Sequence, residues 1–367
     1  MIASVSHRVG AGMKTLLCSL LLGGLALFQT WDTSFALQNE NTTPSQTQSA
    51  TVPNTSNAKP HAASSTQAMI HIEVMVTDDQ GRLLTGLKPE NFRIFDNKQP
   101  QQVSYFAPPK SPMTIVLLME YSSSSYQYYA AKSAYWSERF VDQLEPNDWV
   151  ALVTYDLQPR VQVDFTHNSY AVRDAIAGLG FPAFREANLF DSLIEVLERL
   201  DTIHGKKAIL VIGTGLNSFS AATFDDVRRE LRKSDAIVFC VGTAEQEFVR
   251  YTGFSSGYAM AKNQLETFAK QTGGLAYFPR FEGELPDIFS SVAALLRNAY
   301  TIGFTLPASN HDGRYHRLKV EIVDKDGNPL RVRDKQGKWH KVEVMTREGF
   351  TAPRSKSESV RNDSGQR

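Results

Sequence analysis

Two hydrophobic rhythms alternate along the chain. The segment IHIEVMVTD sets Ile70, Ile72, Val74 and Val76 on one face and His71, Glu73 and Met75 on the other, the period of a half-buried strand. Asn91 to Phe95 and Gln102 to Phe106 repeat that period after turns at Asp78-Asp79-Gly81 and Asp96-Asn97-Lys98. Three short strands are too few for a stable sheet unit, so partners are expected elsewhere in the chain. Candidates lie at Tyr300–Phe304, His316–Val323, Pro329–Val332 and Trp339–Met345, separated by Asn- and Gly-bearing turns.

Between these pieces the pattern changes. Met113 to Met119 is a continuous apolar run ending at Glu120. A serine turn follows, then an amphipathic segment from Tyr128 to Leu144. Strands are predicted at Asp148–Tyr155, Lys207–Ile212, Ala236–Val241 and Leu275–Phe278, with Arg160–Phe165 as a short antiparallel edge. Helices are predicted at Asn168–Leu179, Leu189–Leu200, Phe224–Ser234, Lys262–Thr272 and Leu285–Arg297, the fourth stopped by Gly273-Gly274. The fold class read from this pattern is α/β: a doubly wound, mostly parallel sheet inserted between segments of a β-rich, sandwich-like module.

Composition adds compartment and boundaries. Charge is balanced, 39 basic against 39 acidic residues, which removes any global pull toward nucleic acid. Arg8 and Lys14 precede an apolar run, Leu16 to Phe28, whose length as helix is about 20 Å, short of the roughly 30 Å hydrocarbon slab. That is the form of an export signal, with Ser34-Phe35-Ala36 as a cleavage candidate, or of an uncleaved anchor, through which alone the chain would touch a membrane. Gln38 to Gln67, rich in Asn, Thr, Ser and Gln, reads as a disordered spacer. Cys240, in AIVFCVG, reads as a buried core residue rather than a nucleophile. The expected organisation is a signal or anchor over 1–36, linker 37–68, β-rich segments 69–110 and 300–350 around an α/β unit at 111–299, and a tail over 351–367. The expected location is periplasm, cell envelope or extracellular space.

The ordered set IHIEVMVTDDQGRLLTGLKPENFRIFDN, TIVLLMEYSSSS, LEPNDWVALVTYD, VDFTHN, NLFDSL, KKAILVIGTG and VMTREGFTAP resembles von Willebrand factor type A domain proteins of the exported, acidobacterial type. The resemblance implies a metal-ion-dependent adhesion site for Mg²⁺ or Mn²⁺, built from Asp-x-Ser-x-Ser, a middle-loop Thr and a later Asp. Those positions fall on Glu120, Ser122 and Ser124, on Ala187, and on Thr214. Glu120 carries its carboxylate one methylene too far for tight octahedral geometry, and Ala187 offers no side-chain oxygen. Asn188 and Asn217 stand nearby as substitutes. The resulting expectation is a degenerate site with no resident cofactor, or at most a weakly held Mg²⁺ or Mn²⁺.

No G-x-S-x-G elbow or P-loop is present, and the histidines sit in unrelated settings, so no catalytic residue is assigned. Aromatic residues gather in the loops assigned to the carboxyl end of the sheet. Tyr121, Tyr126, Phe181, Phe184, Phe219 and Tyr251 are the candidate partner-binding residues. The functional expectation is a non-enzymatic, adhesion-like protein that recognises a protein partner through those loops without metal. The alternatives are a cell-envelope scaffold and a carbohydrate-binding module.

Overall fold

The computed structural model describes residues 68–123, 137–243 and 256–354. The signal segment, the spacer, Ser124, Tyr126, Tyr251 and the tail beyond Arg354 lie outside the described residues.

The central sheet has six strands: β5 (Met113–Glu120), β6 (Trp149–Tyr155), β7 (Pro159–Thr166), β8 (Lys206–Gly213), β9 (Ile237–Gly242) and β10 (Ala276–Tyr277). Their order is β10-β9-β8-β5-β6-β7, with β7 antiparallel and the remaining neighbours parallel. β5 and β8 are buried along their whole length, which is why both read as unbroken apolar runs. One face is covered by α1 (Ser169–Ala177), α5 (Leu285–Arg297) and the helical residues around Phe140, and the other by α2 (Leu189–Asp201), α3 (Phe224–Lys233) and α4 (Ser256–Thr272). Asn168 caps α1, its side chain accepting from the backbone of Tyr170 and Ala171. The fold class read from the sequence is the observed one.

Two antiparallel sheets form the β-rich module. One runs β13 (Arg331–Arg333), β14 (Trp339–Thr346), β1 (Ala68–Asp78), β11 (Tyr300–Leu306), β4 (Tyr105–Ala107); the other runs β15 (Gly349–Thr351), β12 (Tyr315–Ile322), β2 (Phe92–Asp96), β3 (Gln99–Gln101). β1 pairs with β11 on one side and β14 on the other, so chain segments on both sides of the α/β unit share one sheet. Ile72, Val74 and Val76 pack against Phe92, Ile94, Tyr300, Ile302 and Val320 between the sheets. Each such side chain, fully buried, contributes about 1.5–3 kcal/mol.

The structure departs from the sequence reading in three places. Met75, expected on a solvated face, is fully buried and packs into the α/β core with Phe289 and Leu296, so β1 is covered on both faces. The strand expected at Gln102–Phe106 is shorter and later, β4 at Tyr105–Ala107 on β11, and a separate β3 at Gln99–Gln101 precedes it on β2, with Pro100 tolerated on an edge. α4 begins at Ser256, earlier than Lys262, because Tyr258, Ala261, Leu265 and Phe268 continue its buried stripe through a Gly- and Ser-containing turn.

Gly273 joins the two parts. At φ +88° it ends α4, and a Cβ there would stand 2.5 Å from the backbone of Thr346. Gln271 O accepts from Glu348 N at 3.2 Å across the same seam.

Candidate functional site

β5 delivers Glu120 to the carboxyl end of the sheet, beside Tyr155 at the end of β6. In a parallel sheet this is where ligands are bound, and loops 178–188 and 214–222 close over it. Glu120 is buried, with both carboxylate oxygens engaged. Oε1 accepts from Ser122 Oγ at 2.7 Å, and Oε2 accepts from Thr214 N at 2.6 Å and Thr214 Oγ1 at 2.7 Å. Burial raises the carboxyl above its ordinary range, against the pull of those three donors. Tyr155 is also fully buried; burial and the nearby Glu120 push its phenol well above the ordinary value. Its hydroxyl has no hydrogen-bond partner among the described residues.

The loops are tied by a web of hydrogen bonds. Ala187 N donates to Ser218 Oγ at 3.0 Å, while Ser218 N and Phe219 N donate to Ala187 O. Asn188 Nδ2 donates to Leu157 O at 2.9 Å, and its Oδ1 accepts from Ser220 Oγ at 2.5 Å. Asn217 Oδ1 accepts from Ser220 Oγ at 2.5 Å and from Phe190 N at 3.2 Å, at the start of α2. Asp191 accepts from Ala221 N and Ala222 N, pinning the same loop to the first turn of α2. Ser123 N donates to Phe184 O at 2.6 Å, and the Tyr121 hydroxyl donates to Gly180 O. Thus Glu120, Ser122, Ala187 and Thr214 gather at one end of the sheet, with Asn188 and Asn217 beside them.

Above Glu120 a cavity of about 330 Å³ is lined by Arg185, Glu186, Ala187, Asn217, Ser218 and Met260. Phe181, Phe184 and Phe219 stand on the surrounding loops, exposed to 87, 39 and 57 %. Sequence reasoning missed Tyr155, which was legible only as the last residue of a buried strand; Met260, the end of a stretch read from the sequence as a sheet-end loop, lies instead near the start of α4. Among the described residues no cluster of three or more His, Cys, Asp or Glu is arranged to hold a metal ion.

No curated protein matches the chain in sequence. Solved structures similar to it include a von Willebrand factor type A protein from Catenulispora acidiphila, at 12% identity over 82% of this chain and 77% of that one, TM-score 0.42. The vWF domain of the type V pili tip protein Mfa5 from Porphyromonas gingivalis is 13% identical over 51% of this chain and 95% of that one, TM-score 0.40. Proximal thread matrix protein 1 from the mussel byssus, with a zinc-occupied MIDAS motif, is 15% identical over 55% of this chain and 49% of that one, TM-score 0.40. The family model for the von Willebrand factor type A domain matches residues 114–291, the span that holds the central sheet and its helices. This part of the chain is similar to the von Willebrand factor type A domain family.

Proposed function

We infer that the chain is an exported, non-enzymatic recognition protein whose type A domain docks a protein partner on the loops at the carboxyl end of its sheet, without a metal ion. The observation that carries this reading is the engagement of both Glu120 carboxylate oxygens by Ser122 and Thr214. A divalent ion requires carboxylate oxygens free to face it, and small hard cations require them in near-ideal geometry. Here the sole carboxylate at the adhesion-site positions is turned inward, Ala187 supplies no side-chain oxygen, and the Thr214 hydroxyl donates to Glu120. The residues present do not fit Mg²⁺ or Mn²⁺, and the site is a degenerate one of the exported type.

With the charge withdrawn, recognition falls to the rim. Phe181, Phe184 and Phe219 offer aromatic area around a cavity that accepts one partner side chain, the arrangement of anchors around a pocket that dominates protein interfaces. The N-terminal apolar segment is consistent with export, its span 1–36 being signal or anchor and 37–68 spacer.

A pull-down from the native envelope, run with and without EDTA, tests the reading. Capture should be unchanged by the chelator and lost on Phe181→Ala with Phe219→Ala while the melting temperature stays put. Chelator-sensitive capture would overturn it, and capture indifferent to both aromatics would favour a scaffold role.

A further inference from the structure

In the β-rich module, one edge of β12 is open in its middle. Odd-numbered residues of this strand bond toward β2: Arg317 O accepts from Asn97 N at 2.9 Å, and Val323 N donates to Asn91 O at 2.8 Å. Main-chain groups alternate in direction along a strand, so those of Leu318, Val320 and Ile322 face away from β2. Leu318 N donates to Glu348 O at 2.9 Å, just before β15, and Ile322 O accepts from Leu330 N at 2.9 Å. Between these two contacts, the N–H and C=O of Val320 have no main-chain partner among the described residues.

That stretch of edge borders a cavity of about 290 Å³. Its walls are aliphatic: Val320 and Ile322 from β12, Leu330 from the segment that follows, and Val342 and Val344 from β14. Leu330, Val342 and Val344 are only half-buried, so the two sheets leave apolar surface uncovered here. A cation stands at the mouth. Gly327, at φ +81°, lines the cavity beside Arg93, and a Cβ on it would strike Arg93 Nη2, which places the guanidinium over that turn. Among the described residues Arg93 has no carboxylate within 4.0 Å. Glu321, its neighbour across the strand pair, is held by Lys319 Nζ at 2.6 Å.

A ligand that completed this corner would carry three groups in short succession. An amide would return a C=O and an N–H to Val320 as a paired strand does. An aliphatic side chain would cover the half-buried walls, and a carboxylate would meet Arg93. One acylated amino acid carries all three. The contacts at Leu318 and Ile322 stand about 14 Å apart along the edge, room for one residue rather than a through-running strand. We propose that this cavity binds an N-acylated aliphatic amino acid, free or as the last residue of a peptide. Its amide pairs with the main chain of Val320, its side chain fills the aliphatic cavity, and its carboxylate lies toward Arg93. The site belongs to the β-rich module and is independent of the aromatic rim.

Ligand-observed NMR titration of the whole chain with N-acetylleucine, N-acetyl-N-methylleucine and N-acetylleucinamide tests the proposal. N-acetylleucine should bind saturably below about 10 mM, and N-methylation, which removes the proton given to Val320 O, should weaken binding at least about tenfold. The neutral amide should also bind more weakly than the acid, and Arg93→Met should erase that difference while leaving the effect of N-methylation in place. A merely structural Arg93 would change neither ratio. Acetylglycylleucine separates the two sources: tighter binding than N-acetylleucine marks a peptide end, otherwise the free acid, and both uphold the site. Absence of saturation, equal binding of the N-methyl compound, or an acid-to-amide ratio unchanged in the variant would each overturn it. The comparison of ligands on the unaltered chain decides the matter even where the variant fails to fold.

Discussion

Thr214 donates to Glu120 twice, through its backbone N–H at 2.6 Å and its hydroxyl at 2.7 Å, both onto Oε2. This contact closes β5 onto the end of β8 and holds inward the one carboxylate at the adhesion-site positions. Since burial raises the Glu120 carboxyl, the folded state holds its proton more tightly than the unfolded chain does. That contribution to stability is complete below the unfolded carboxylate value and is lost as pH rises through the raised folded one. Glu120→Gln, uncharged throughout, should remove this part of the slope and hold stability higher at neutral pH. Urea unfolding of both proteins from mildly acidic to neutral pH measures it.

Gly213 makes the contact sterically feasible. A Cβ at that position would lie 2.6 Å from Tyr155 Oη and 2.8 Å from both Cβ and Oε2 of Glu120. Gly213→Ala should therefore force Glu120 and Tyr155 apart at an overpacking cost of about 1–3 kcal/mol, read as a lower denaturation midpoint with an unchanged slope.

The sequence showed a missing hydroxyl at Ala187 and a missing negative charge at Thr214, but not where the charge of Glu120 had gone. Its extra methylene is a misfit for a metal, and the same length lets it reach Thr214, a residue distant in sequence. Such a contact has no local periodicity to betray it. The sheet was legible because β5 and β8 are buried on both faces and therefore uniformly apolar. β1 was misread for the converse reason: alternation reports two different environments, not that one of them is water. His71 and Glu73 line a mixed polar and apolar cavity and Met75 packs into the α/β core, and only the tertiary arrangement distinguishes those from solvent. β3 was not legible because Gln99-Pro100-Gln101 carries no apolar alternation, and its pairing with β2 follows from the turn at Asn97-Lys98 alone.

If the loss of metal follows from these positions, reversing them should restore it. Glu120→Asp combined with Ala187→Thr and Thr214→Asp shortens the inward carboxylate, supplies the middle-loop hydroxyl and adds a second negative charge. The triple variant should gain a Mg²⁺- or Mn²⁺-dependent rise in melting temperature, about 2.7 kcal/mol in stability at a hundredfold excess over Kd. The unaltered chain should show no such rise. Differential scanning fluorimetry with and without EDTA separates them.

His340 ties the β13–β14 hairpin to the turn after β1. Its Nδ1 lies 2.6 Å from Asp79 Oδ1 and its Nε2 2.9 Å from Asp334 Oδ2, the first of these spanning the two ends of the folded chain. The hydrogen bonds to Asp334 and Asp79 raise the imidazole above its ordinary value, and the same bonds lower both carboxyls. The two signs run oppositely. The imidazolium's contribution is full below the unfolded histidine value and disappears as pH rises through the raised folded one. The carboxylates' contribution is full above the unfolded aspartate value and disappears as pH falls through the lowered folded one. Stability from this cluster should therefore form a plateau between those limits. His340→Gln keeps hydrogen-bonding capacity but no charge, so it should flatten the alkaline decline and weaken the acid one. Melting temperatures of both proteins across the pH range decide this: a variant that retains the alkaline decline would place its origin elsewhere.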